Sequence, residues 1–165
     1  RIVGGAQELR RRAGTENTIG IAGFAAALDC VSDDLAKATQ WRGLRDRVEA
    51  RLLSHPEVAI LGAGADRVAN TICVAMFGVT SETQVIALDL DGVAVSAGAA
   101  CSSGKVGPSH VLAAMGVDRA LVDCAIRVSF GWQTKESDLE RFFESWRSLY
   151  RRTRGTDSNV RRPAA

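Results

Sequence analysis

The chain has 165 residues, 46% hydrophobic and 24% charged, with a formal net charge of +2. That suits one soluble globular domain, or a small domain with part of another, and the weak net charge gives no reason to invoke nucleic acid. No apolar run is long enough to span a membrane, and no signal-peptide pattern is present. The four cysteines at 30, 73, 101 and 124 show neither CxxC pairing nor histidines at ligand spacing, which argues against structural zinc and for a reducing, cytoplasmic setting.

The chain opens on Arg1-Ile2-Val3-Gly4-Gly5 with no initiator Met, as a fragment does. Thr15 or Asn17 can cap a helix. Apolar residues then recur every three or four positions, at Ile19, Ala22 and Ala26 and again from Leu35 to Leu52. That is one long helix, or two joined near 29–34. Ser54-His55-Pro56 ends it. Strands are expected at 58–61 and 68–77, separated by the Gly62-Ala63-Gly64-Ala65-Asp66 turn, which is a poor phosphate loop because no helix follows it. A helix over 81–91 stops at Gly92, and 93–95 form a brief strand. Pro108 starts a helix to Met115, and 118–123 form another short helical piece. Residues 125–130 alternate as a strand. Residues 135–152 are an amphipathic helix whose stripe of Leu139, Phe142, Phe143, Trp146 and Leu149 is core packing. From Thr153 the chain is polar and Arg-rich, read as a disordered tail, and the clusters at 10–12 and in the tail read as solvated charge. The order predicts an α+β layer, helices covering a small mixed sheet.

The candidate chemistry lies in Ser96-Ala97-Gly98-Ala99-Ala100-Cys101-Ser102-Ser103-Gly104-Lys105. A cysteine in a run of such small residues belongs to a loop that solvent can reach, where a thiol acts as a nucleophile or carries a transferable atom. The alternative is a small buried cysteine. Cys30, Cys73 and Cys124 lie in apolar, periodic segments where burial raises the thiol pKa and blocks access.

Three stretches in order resemble one family. Gly4-Gly5-Ala6-Gln7-Glu8 with Arg12-Ala13-Gly14-Thr15-Glu16-Asn17 is similar to the GGGQE…R(S/A)GTEN segment of the NifS/IscS-type cysteine desulfurases, within the class V aminotransferases. Ser96 to Lys105, followed by Pro108-Ser109-His110-Val111-Leu112, resembles their catalytic loop and the helix after it. Ala125-Ile126-Arg127-Val128-Ser129-Phe130-Gly131 resembles their substrate-arginine strand. The resemblance covers about residues 1–150 and implies the C-terminal portion of a fold-type-I pyridoxal phosphate enzyme. Residues 1–28 would be the end of the large domain with its connecting helix, 29–152 the small domain with the cysteine loop, and 153–165 the tail.

The family is homodimeric and converts L-cysteine to L-alanine and a persulfide for iron–sulfur scaffolds or other acceptors. The resemblance therefore implies Cys101 as the persulfide thiol and a possible transient Fe–S ligand, with no firm metal site. It implies Arg127 as the clamp on the substrate carboxylate. Such a clamp uses a planar guanidinium with two parallel hydrogen bonds; the plain alternative is a structural ion pair. Thr15 would reach the partner's cofactor phosphate, or act only as an N-cap. Ala6 replaces a glycine, so strain is expected if that position needs positive φ. No His-Lys pair is present, and Lys37, Lys105 and Lys135 do not match the cofactor lysine. His110 reads as structural or surface. These residues alone are thus expected to be inactive. Two other readings are a stand-alone persulfide carrier or partner-binding module without its own catalysis, and a non-functional remnant.

Overall fold

The computed structural model describes residues 3–98 and 109–156. Cys101, Lys105, Pro108 and residues 157–165, on which several expectations rest, lie outside the described residues. The chain divides into two compact units, 1–37 and 38–165.

In the first unit, α1 (Gln7–Arg10) is a short left-handed turn, with φ of +52°, +54° and +66° at Glu8, Leu9 and Arg10. L-residues lose roughly 1–2 kcal/mol each in that region. Ala6 itself has φ −88°, so the expected strain at this position is absent and falls on the residues after it. Asn17, not Thr15, caps α2 (Thr18–Asp29): its Oδ1 accepts from the Gly20 N–H at 3.0 Å. The cap role weighed for Thr15 is thereby corrected. None of α2 is buried, and Ile19, Phe24 and Leu28 are 87%, 67% and 53% exposed. A new helix, α3 (Val31–Leu53), starts directly after Cys30, so the periodic stretch is two helices.

The second unit is built on β1 (Val58–Ile60), β2 (Thr71–Met76), β3 (Ser96–Ala97) and β4 (Ala125–Ser129), in the order β1-β2-β4-β3. Every pair is antiparallel, where a mixed sheet was expected. Strands this short, connected across neighbouring edges, pair antiparallel without needing a parallel crossover. The helices are α4 (Ser81–Leu90), α5 (His110–Ala114), α6 (Arg119–Val122) and α7 (Glu136–Thr156).

One sheet face presents Ile72, Val74, Met76, Ile126 and Val128 to α3, α4 and α7. The expected stripe of α7 is buried there, with Trp146 fully enclosed and Phe142 and Phe143 beside it. The other face carries Ala75 and Ala125 against Leu112 of α5 and Val122 of α6.

Three element limits differ from expectation, each for a visible reason. β2 begins at Thr71, not Val68, because the preceding residues are tied to α3: Arg45 Nη1 donates to the Val68 carbonyl at 3.0 Å, and Arg67 pairs with Glu49 through two bonds of 2.6 and 2.7 Å. β3 lies at 96–97 rather than 93–95, because the free edge of β4 at Arg127 and Ile126 stands opposite those two residues. α7 continues through Thr156, so residues 153–156 are helix and not the start of a tail. Thr153 Oγ1 donates back to the Leu149 and Tyr150 carbonyls, and Arg154 binds Glu57 at 2.8 Å and the Phe77 carbonyl.

The Glu49–Arg67 pair is mostly removed from water, with 11% and 19% of the side chains exposed. Glu49→Ala leaves the Arg67 guanidinium without its carboxylate. The expected loss is about 3 kcal/mol of unfolding free energy in urea. Glu49→Leu with Arg67→Met should lose markedly less, and equal losses would show that the pair does not anchor the segment.

Candidate functional site

The alternation of β4 sends Ile126 and Val128 into the core and Arg127 to the opposite face, where it is exposed. Register places Arg127 opposite Cys73 of β2 and Ser96 of β3, one row across three strands. Arg127 and Cys73 of this row line a cleft of about 460 Å³, lined also by Leu61, Gly98, Ser109, Val111, Leu112 and Met115. Gly98 and Ser109 are the described residues at either end of the segment that carries Cys101, and both line this cleft. Ser109 is also the N-cap of α5, its Oγ accepting from the Leu112 N–H at 3.3 Å.

Arg127 has no acidic partner among the described residues. Most arginines of this unit are satisfied otherwise: Arg47 by Glu136, Arg51 by Glu140, Arg119 by Asp123. Among the described residues, none forms the structural ion pair weighed for Arg127. Its neighbour Cys73 is half-buried. Burial pushes the thiol pKa up, while the Arg127 and Arg67 charges pull it down less strongly. Cys73 is thus a neutral thiol on the cleft wall at physiological pH.

The remaining candidates fall as follows. Cys101 lies outside the described residues. Thr15 is exposed in the first unit, on a turn organised by Arg12, whose Nη1 donates to the Gly14 carbonyl and whose Nη2 meets Glu16, both at 2.6 Å. Cys124 is buried as expected, but Cys30 is exposed, so burial does not shield it. It lies between α2 and α3 in a periodic apolar pattern whose neighbours Leu28 and Val31 are themselves 53% and 42% exposed. His110, set aside as structural, lines the cleft, as does Cys73. Alternation in β2 could have placed Cys73 on the face away from Ile72 and Val74; only strand register could place it beside Arg127.

The described residues do not fit a pyridoxal phosphate site of the imine-forming kind. Lys37 sits on the exposed surface of α3, 3.4 Å from Asp34, Lys135 precedes α7, and no described lysine lines the cleft. Among the described residues, no group of three or more His, Cys, Asp or Glu is placed to hold a metal, and no helix is long and apolar enough to cross a membrane.

Comparison with known proteins shows the family and the fold. Residues 4–142 match the family described as Aminotransferase class-V. The chain is 40% identical over 138 residues to a cysteine desulfurase of Klebsiella pneumoniae, covering 83% of this chain and 35% of that protein. It is 41% identical over 145 residues to a cysteine desulfurase of Sinorhizobium fredii, covering 85% and 37%. Among solved structures, a NifS-like protein from Rickettsia africae superposes with a TM-score of 0.72 at 32% identity, over 91% of this chain and 39% of that one. The chain therefore spans well under half the length of these relatives. On its matched residues, its sheet-and-helix layer and its relatives, this chain belongs to the class-V aminotransferase family, with NifS/IscS-type cysteine desulfurases as its relatives.

Proposed function

We propose that this chain is the C-terminal portion of a cytoplasmic, homodimeric cysteine desulfurase, supplying the substrate-carboxylate clamp and the sulfur-accepting thiol. The observation that carries the reading is Arg127: a guanidinium with no acidic partner among the described residues, on the wall of a cleft whose rim holds both ends of the Cys101 segment. A carboxylate held by the planar fork of Arg127 leaves the rest of an amino acid oriented by two parallel bonds. A thiolate tethered nearby can then take the sulfur.

The net change is L-cysteine plus the Cys101 thiol giving L-alanine and a Cys101 persulfide, which passes to an iron–sulfur scaffold or another acceptor. Pyridoxal phosphate, held by a lysine from the rest of a longer chain, supplies the electron sink when bound. Thr15 contributes to the phosphate site of the partner subunit in that assembly. The uncovered apolar surface of α2 supports a larger assembly, since such surface on a lone chain marks a place where another layer packs.

Three measurements test the reading. The 165-residue chain incubated with pyridoxal phosphate and L-cysteine should give no borohydride-reducible imine and no sulfide; turnover would show that it is complete in itself. In a longer chain carrying this sequence, Arg127→Lys keeps the charge but loses the fork. It should lower kcat/KM by about 1–3 kcal/mol in transition-state terms, and an unchanged value would refute the clamp. Brief alkylation at pH 8 should label Cys101 and the exposed Cys30 first, Cys73 more slowly and Cys124 least. Labelling of Cys73 ahead of Cys101 would reverse the assignment of the reactive thiol.

A further inference from the structure

A smaller pocket of about 220 Å³ lies at the Val128–Phe130 end of β4, on the face that α7 covers. Its floor is the buried side chains of Val128, Phe130, Leu139 and Phe142. Its rim is Gly92, Val93 and Ala94 on one side and Thr134, Asp138 and Arg141 on the other. All of these residues are described. The antiparallel register sets Ser96 opposite Arg127 and Ala97 opposite Ile126, so β3 carries the chain away from this pocket towards the Ala125 end of β4.

The rim holds opposite charges that do not meet. Asp138 and Arg141 stand one turn apart on α7, a spacing at which side chains are neighbours, yet among the described residues no ion pair joins them. Each is drawn aside by backbone. Asp138 Oδ2 accepts the Lys135 N–H at 2.8 Å, and Arg141 Nη2 donates to the Asp91 carbonyl at 2.7 Å. The guanidinium rests on Gly92, at φ +74°, where a Cβ would come within 2.7 Å of Nη2. A carboxylate oxygen and several guanidinium N–H groups keep capacity for further bonds. The sheet edge is open here as well. The Phe130 N–H bonds the Asn70 carbonyl on the β2 side, so alternation turns the Ser129 N–H and carbonyl towards the β3 side. Pairing with β3 stops at Ser96, because the Val93 N–H is taken by the Leu88 carbonyl at the end of α4.

We propose that this pocket binds a small α-amino acid with an uncharged side chain, its ammonium on Asp138, its carboxylate on Arg141 and its side chain towards Val93 and Phe142. A carboxylate and a guanidinium held apart on one helical turn complement a zwitterion whose own charges are one carbon apart. The Ser129 carbonyl is a second acceptor for the ammonium. Size follows from the volume, which is below the range of about 300–1,000 Å³ found for clefts that take drug-sized ligands. The site does not depend on the clamp reading: Arg127 points to the opposite face of β4 and lines the other cleft. L-Alanine, the product of the proposed reaction, is a molecule of this class.

The test is a nuclear magnetic resonance titration of the 165-residue chain, observing the Arg141 side-chain N–H and the Ala94 amide. The probes are L-alanine, L-leucine, sodium propionate and ethylammonium chloride. L-Alanine should shift both signals and bind at least about tenfold more tightly than propionate or ethylammonium, each of which keeps only one of the two charges. L-Leucine should bind more weakly than L-alanine. Asp138→Asn still offers an oxygen to the Lys135 N–H, so the start of α7 is kept, and L-alanine should bind about tenfold more weakly. Arg141→Gln should weaken it by a similar factor. Arg127→Gln should leave both shifts unchanged.

If L-alanine moves neither Arg141 nor Ala94, the proposal falls, whatever Arg127 does. If propionate or ethylammonium matches L-alanine, the zwitterion is wrong. Equal binding of L-leucine would overturn the size limit. An unchanged affinity in Asp138→Asn would show that Asp138 only caps α7 and would overturn the site. Loss of the shifts in Arg127→Gln would place the amino acid in the other cleft, so that this proposal falls and the clamp stands.

Discussion

The antiparallel pairing of β2 with β4 is the constraint on which the second unit depends. Five residue pairs, from Thr71 with Ser129 to Ala75 with Ala125, fix which side chains face which way. In this register Ile72, Val74, Ile126 and Val128 meet α7, and Cys73 and Arg127 stand together on the other side. A slip of one residue would move the apolar set to the cleft and put Arg127 against Trp146. Side-chain bonds hold both ends of the ladder. Asn70 Nδ2 donates to the Phe130 carbonyl at 2.8 Å, while the Phe130 N–H returns a bond to the Asn70 carbonyl at 3.0 Å. At the other end the fully buried Gln84 donates to the carbonyls of Val79 and Cys124. The position of the clamp residue is thus a consequence of core packing, although Arg127 itself is outside the core.

The helices are tied to this sheet by aromatic and charged contacts of different kinds. His55, Phe143, Trp146 and Tyr150 form a cluster of edge-on and stacked rings where α3 meets α7. Arg51 covers the Phe143 ring at 3.9 Å and also pairs with Glu140. Exposed ion pairs such as Arg47–Glu136 add little by themselves. The enclosed aromatic area contributes far more, and places α7 firmly on the face opposite the cleft. Among the described residues, the cleft face is covered by two short helices, α5 and α6.

The local chemistry of the site was readable where it depends on neighbours in the chain. Arg127 was singled out by the resemblance of its strand to the family's substrate-arginine strand, and alternation of β4 sends it outward. The companion residues were not. Cys73 and Leu61 are distant from Arg127 in sequence, and their meeting depends on register. His110 and Met115 enter the cleft through the placement of α5 on the sheet. Thr15 and Asn17 were equal candidates for one cap, and the hydrogen bond from Gly20 chose Asn17. Cys30 shows the reverse failure: a periodic apolar pattern describes a face that can be buried, while exposure depends on whether another layer covers it.

The sequence by itself determined the elements whose signals are local. The stripe of α7, the glycine stops after α4 and α5 and the alternation of β4 all act within a few residues. Tertiary structure alone decided the strand order, the antiparallel register, the shift of β3 to Ser96–Ala97 and the continuation of α7 through Thr156. It also decided that Arg127 has no acidic partner among the described residues and that it shares a cleft with Cys73 and His110. These outcomes depend on which groups meet across dozens of intervening residues. Hydrogen-bond satisfaction and packing resolve such meetings for the whole unit at once, and no single segment carries the information.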